Sequence, residues 1–223
     1  MKKYIVALIY TCVTMNSIAQ KSAVGNWFIY LGNQKINKNW NWHNEVQYRN
    51  YNFIGDINQL LLRTGVGYNL SDNNDNILLG YGYIQSHTYN NTGAKDVKNE
   101  HRIFQQFITK QNIHLYHIQH RYRLEERFFT GDFKMRLRYF LSVNKPLNKK
   151  TMETNAVYLA AYNEIFLNTK SSVFDRNRIY GGVGYFINSH LSIETGFMTQ
   201  LFENKNQSQF QIILYNNLPF TNN

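Results

Sequence analysis

Period two dominates this chain. In FKMRLRYFLSVN, Phe133 to Asn144, a bulky apolar residue stands at every second position, and Lys134, Arg136 and Arg138 fill most of the gaps. Successive side chains of a strand point to opposite faces, so the stretch makes a ribbon with one oily and one cationic face. The alternation recurs along the chain, and helical spacing explains it much less well. WNWHNEVQYRNY opposes Trp40, Trp42, Val46 and Tyr48 to Asn41, His43, Glu45, Gln47 and Arg49. In QLLLRTGVGYNL, Leu60, Leu62, Val66 and Tyr68 oppose Arg63, Gly65 and Gly67; in ILLGYGYIQ, Ile77, Leu79, Tyr81 and Tyr83 oppose Gly80 and Gly82. LYHIQHRYRLEERF sets Tyr116, Ile118, Tyr122, Leu124 and Phe128 against His117, Gln119, Arg121, Arg123, Glu125 and Arg127. HLSIETGFMTQL sets Leu191, Ile193, Phe197 and Leu201 against Ser192, Glu194, Gly196 and Gln200.

Short clusters of turn formers such as SDNNDN, NNTGAKD, TGD and NTKSS separate these runs. Strands joined so briefly are antiparallel neighbours, which gives an all-β, up-and-down meander. About eleven runs can be counted, many longer than the roughly 5 to 6 residues usual in soluble sheets. Closed bacterial barrels favour an even number of strands, so the pattern predicts a closed antiparallel transmembrane β-barrel of 12 strands, with 10 as the alternative.

Two environments compete for the oily face. A lipocalin-like soluble carrier turns it inward, whereas a membrane barrel turns it to lipid. The polar face mixes long cations, carboxylates and paired glycines (Gly65/Gly67, Gly80/Gly82, Gly182/Gly184). Glycine weakens a solvent-facing strand, but in a crowded lumen it leaves space for neighbouring arginines, which favours polar inside. The mean hydropathy of −0.49 does not argue against this, because a transmembrane strand shows lipid only alternate residues. Trp27, Trp40, Trp42, Tyr51, Phe128, Phe129, Phe166 and Phe220 lie near strand ends, where an interfacial aromatic girdle is expected.

The start, MKKYIVALIYTCVTMNSIAQ, has the layout of a secretory signal peptide over residues 1–20, cut after Ala19 or Gln20. A lipoprotein signal at Cys12 fits less well, since Thr11 precedes it and the apolar run would be very short. Cys12 is the sole cysteine, so the mature chain has no disulfide. Residues 21–223 carry only two prolines and no low-complexity tract, and read as one barrel domain.

The polar face gathers a lumen charge network: Arg121, Arg123, Glu125, Arg127, Lys134, Arg136, Arg138, Glu164, Arg176, Arg178 and Glu194. A turn centred near Lys170 predicts Glu164 opposite Arg176 and Tyr162 opposite Arg178. In the earlier hairpin Glu125 meets Arg136, or lies one step away at Lys134 or Arg138. Such a set either braces a small barrel by two-point Arg–carboxylate bonds or lines a cationic pore that selects anions.

Catalytic signals are weak, and no catalytic residue, metal ligand or cofactor is expected. On a strand His117 faces away from His114 and His120, which are too far apart to share an ion. Ser192 and His190 share a face but have no acid partner or oxyanion site. YGGVGY lies in a strand pattern with no helix after it, unlike a phosphate cradle. The formal net charge of +10 suits anionic headgroups, and alternation with apolar residues speaks against nucleic acid.

The ordered blocks NEHRIFQQF, HRYRLEERF, MRLRYFLSVNKPL, YLAAYNEIFLN, FDRNRIYGGVGY and ETGFMTQ resemble the family called domain of unknown function 2490, exported proteins of Gram-negative bacteria. The resemblance spans about Trp27 to Phe220 and implies an outer-membrane-type β-barrel, with no substrate or catalytic residue to carry over. Taken together, the expectation is an outer-membrane barrel in contact with lipid, structural or a narrow channel for small anionic solutes. A lipid-acting barrel enzyme and a soluble periplasmic carrier are the alternatives.

Overall fold

The computed structural model describes residues 24–71, 74–170 and 172–220. The expected leader lies outside them. The strands are β1 (Val24–Lys35), β2 (Trp40–Asn50), β3 (Ile57–Asn69), β4 (Asp75–Tyr89), β5 (Lys95–Ile113), β6 (Tyr116–Phe129), β7 (Asp132–Pro146), β8 (Val157–Asn168), β9 (Phe174–Phe186), β10 (Leu191–Leu201) and β11 (Asn206–Asn216). Each pairs antiparallel with its neighbours in sequence, and β1 closes the barrel against β11. The turns β1–β2, β3–β4, β5–β6, β7–β8 and β9–β10 ring one end, here the upper mouth; the other five ring the lower mouth.

The barrel has eleven strands, which corrects the expected 12 or 10. An even number is needed only if the closing pair is antiparallel. Here β1 and β11 run parallel, with Phe28 beside Ile212, Ile29 beside Ile213 and Tyr30 beside Leu214. In that register the buried Ile29 meets the buried Ile213, so the seam keeps each face continuous. Parallel ladders satisfy the backbone too, and no edge is left open.

The oily face points outward. Leu79 is 60% exposed, Phe197 62% and Tyr122 50%, while their chain neighbours Leu78, Met198 and Arg123 are buried. The inward face is mostly polar, with Glu45, Arg63, Glu100, Arg102, Glu125, Arg136, Glu164 and Gln211 all buried. A smaller apolar cluster of Trp27, Ile29, Tyr158, Ala160, Tyr180, Met198 and Ile213 fills the lumen on the seam side.

The predicted girdle is partly corrected by strand parity. Trp40, Trp42, Phe128 and Phe220 are exposed on the outside, and Phe220 stacks on Trp42 at 5.5 Å. Trp27 and Phe166 face the lumen instead, buried beneath guanidinium groups. Phe129 shares the inward parity of Arg127, whose guanidinium lies 5.0 Å from its ring. Of the six paired glycines, Gly80, Gly182 and Gly184 make room for rings, Gly65 and Gly67 for Leu78 and Asn41, and only Gly82 for an arginine as expected. A Cβ at Gly80 would sit 2.3 Å from the Phe104 ring and one at Gly184 2.0 Å from that of Tyr158; Gly82 does lie against the Arg63 stem.

Candidate functional site

The lumen centres on Glu125, whose side chain has no exposed surface. It sits across from Arg136, as one predicted register has it, because the tight Thr130–Gly131 turn fixes the β6–β7 hairpin. Arg136 donates to its carboxylate through Nη2 at 2.6 Å, and Arg138 donates through Nη1 at 2.5 Å. Arg102, Arg123 and Arg63 stand at 3.6, 3.7 and 3.8 Å. One buried carboxylate thus anchors five guanidinium groups drawn from four strands, and this belt occupies the lumen.

Further carboxylates extend the belt. Glu164 accepts from Arg121 at 2.8 Å and Arg138 at 2.5 Å, with Arg178 at 3.5 Å. Glu100 is shared by Arg102 at 2.5 Å and Arg127 at 2.6 Å, which lie directly across from each other. Glu45 accepts from Arg63 at 2.8 Å, and Asp175 accepts from Arg136 at 2.8 Å. Like charges facing across a ladder repel, so these acids make the arrangement tolerable. Phe166 packs among the cations, with Arg138, Arg178 and Arg136 at 4.5, 4.6 and 5.1 Å from its ring centre. Such contacts add to burial when the cation is stripped of water.

Several predicted placements change. Glu164 lies opposite Arg178 and Tyr162 opposite Tyr180: next to the turn Leu167 already pairs with Phe174, and a bulge at Asp175 adds one more residue on β9, so the register moves by two and the faces of the paired residues are preserved. Arg176 sits across from Phe166 and bonds Asp175 at 3.1 Å and Gln200 at 3.4 Å. Lys134 stands opposite Arg127 at the lower mouth, 54% exposed and paired with Asp132, outside the belt. Glu194 is buried on the lumen face but stands apart from the arginines; Tyr158 Oη donates to it at 3.0 Å. Its strands β10 and β9 bring Ser192, Met198 and Tyr180 inward there in place of cations.

Arg123, buried, donates to Gln106 through Nε at 2.9 Å. Arg121, less buried, lies over the Phe140 ring at 4.4 Å, at the belt's upper edge. Of the belt members missing from the predicted network, Glu45, Arg49, Arg63, Glu100 and Arg102 carry the same signal of polar parity, whereas Asp175 has the opposite parity to Arg176 and Arg178 and joins the belt at a bulge. Arg49 donates to Gln47 and Gln59 and covers the Trp27 ring at 3.8 Å.

The histidines separate as well. His114 forms the β5–β6 turn with a positive φ of 54°, His117 lines the upper lumen, and His120 points outward to the Tyr139 hydroxyl at 2.8 Å. His190 lies in the β9–β10 turn and bonds Asn188 Oδ1 through its backbone, while Ser192 is buried. Above the belt, two connected cavities of about 350 and 810 Å3 reach the upper mouth.

A family model described as "Protein of unknown function (DUF2490)" matches residues 24–211. The chain belongs to this family. The DUF2490 match starts at the first residue of β1 and ends within β11, so it coincides with the barrel. An uncharacterized protein of Methylorubrum extorquens is 31% identical over 166 residues, covering 70% of this chain and 69% of that protein. No solved structure matches. For this DUF2490 chain, the chemistry therefore has to be read from the lumen.

Proposed function

We propose that this DUF2490 barrel is an outer-membrane protein, exported by a cleaved leader, that is structural or passes small anions slowly through a lumen kept narrow by the arginine belt. The observation that carries this is the division of its surfaces: aliphatic and aromatic side chains predominate outside, and a belt of ion pairs crosses the inside. An exposed apolar surface running round a barrel is costly in water and favourable in hydrocarbon. Closure supplies what hydrocarbon demands of the backbone, since every strand has two partners. Strands of 11 to 19 residues match or exceed the about 9 to 11 that a tilted crossing needs. No helix among the described residues is long and apolar enough to cross a membrane, which says nothing of strands.

Anion preference follows from the excess of guanidinium groups over carboxylates in the belt. Narrowness follows from Glu125, which the arginines cover completely. Cell fractionation tests the address: the protein is expected in detergent-extracted outer membranes, with gel mobility that changes on boiling. Release by osmotic shock without detergent would refute it. Planar-bilayer recording tests passage, with small, anion-biased currents expected; silence at every salt concentration would remove permeation and leave the structural role.

A further inference from the structure

The two cavities above the belt differ in chemistry. The one of about 350 Å3 has an apolar wall of Phe140, Met152, Tyr158, Ala160, Tyr162 and Phe186, faced by polar residues such as His117, Gln119 and Ser142. Its rings hold one another in place, with Phe140 and Tyr162 at 5.1 Å and Tyr158 and Phe186 at 5.4 Å. The one of about 810 Å3 carries a row of amides, including Asn33, Asn41, Asn69 and Asn76, with Asp75 and Lys35 beside them. Those amides satisfy one another: Asn76 donates to Asn41 at 2.7 Å and to Asn69 at 2.8 Å.

Both cavities share Lys110 and Arg121. Lys110 pairs with Gln119, and Arg121 with Ile108, so the two cations are diagonal neighbours on the lumen face. Long side chains at such positions can reach a common ligand. Arg121 donates through Nη2 to Glu164, and its Nε and Nη1 make no hydrogen bond to the described residues. The Lys110 ammonium has no ion pair or hydrogen bond among the described residues. The guanidinium groups of the belt are tied to carboxylates or amides, so Lys110 and Arg121 offer the available positive charge where the two cavities adjoin, with Lys35 at the upper rim of the larger one. On the far side of the aromatic cavity stands Glu194, accepting from Tyr158 at 3.0 Å, which opposes a second negative group there.

We propose that this vestibule binds a small amphipathic organic anion, with an oxyanion head between Lys110 and Arg121 and an uncharged ring or short chain in the aromatic cavity. This rests on the anion reading above and names the solute class. A cavity of about 150 Å3 holds a benzene ring, so the aromatic cavity takes one ring with a short substituent. Both volumes lie in the range of small-molecule sites. The amide cavity leaves water or hydroxyl groups around the head.

Calorimetry on the folded barrel in lipid nanodiscs tests this with three probes: phenyl phosphate, inorganic phosphate and benzyl alcohol. Change of gel mobility on boiling verifies folding first. Phenyl phosphate is expected to bind at least tenfold more tightly than either of the others, and Lys110→Gln to weaken it about tenfold, as loss of one charge-assisted contact predicts. Benzyl alcohol should bind Lys110→Gln and the parent alike. Equal affinity for phenyl phosphate and inorganic phosphate would overturn the proposal, as would unchanged phenyl phosphate affinity in Lys110→Gln or no binding by the folded barrel. Binding without conductance would support the site and remove permeation; conductance without binding would overturn the site alone.

Discussion

Glu125 is the residue on which the lumen depends. Replacing it by Gln keeps its shape and removes the one charge that five arginines surround. Breaking a buried ion pair on one side leaves uncompensated charge, so Glu125→Gln is expected to cost about 3 to 5 kcal/mol in urea unfolding of the refolded barrel. Glu164→Gln should also destabilise, but less, because Arg121 is partly exposed and can turn to water. A second charged contact shows how pH enters. Asp56, in the β2–β3 turn, bonds the Lys95 ammonium, and this bond holds its carboxyl below the usual range. A depressed folded value means stability that is full above the ordinary carboxylate pKa of about 3.9 and lost as pH falls through the folded value. Pepsin should therefore nick the turn near Tyr51 and Phe53 faster as the acid range is entered, relative to an unfolded reference. Asp56→Asn should be nicked at the fast rate throughout. Of these residues, Glu125 with Arg136 was legible in the sequence because a tight turn lies between them. Glu45 was not singled out because the longer β2–β3 turn and the register irregularity at Arg49 and Asn50 hide that it faces Arg63, and Glu100 was not because its partners are Arg102 two residues along the same strand and Arg127 one diagonal step across the β5–β6 hairpin.

At the scale of strands, alternation shows which side chains share a face, and turns show which strands are neighbours. It is weaker where an aromatic falls on the polar face. Trp27 and Phe166 read as girdle residues because ring chemistry is the same on either side, and only parity within the paired sheet turns them inward. The β8–β9 hairpin shows the other limit: a bulge at Asp175, which no local pattern announces, combines with the turn to move Glu164 from Arg176 to Arg178 while leaving both on the lumen face. Gly184 gives a test at this scale. Gly184→Ala would press a methyl into the buried Tyr158 ring and should destabilise the folded barrel by about 1 to 3 kcal/mol, read as a lower unfolding midpoint. The β1–β11 seam gives another. Phe28→Cys with Ile212→Cys places two thiols on register partners in a mature chain expected to have no other cysteine. Oxidation should join them and shift the denatured, unreduced band, whereas failure to cross-link in the folded barrel would contradict the parallel closure.

For the whole molecule, the sequence showed an all-β closed meander with polar interior but misjudged the final count. The rule of even strand number assumes a last pair that runs antiparallel, and nothing in the local pattern of β1 or β11 reveals the direction of their partner. Closure is a property of the ring, decided by whether the two end strands match in face and length. They match here, and the ring shuts after eleven strands.

That odd count settles where the backbone leaves. Val24 begins β1 at the lower mouth and Asn216 ends β11 at the upper one. Set in a bilayer, Val24 and Asn216 would face opposite compartments. A protease site inserted at Gly131 and another inserted directly after Asn217 should then be cut from opposite sides in intact cells, and cutting of both from the same side would mean that the ring closes in some other way.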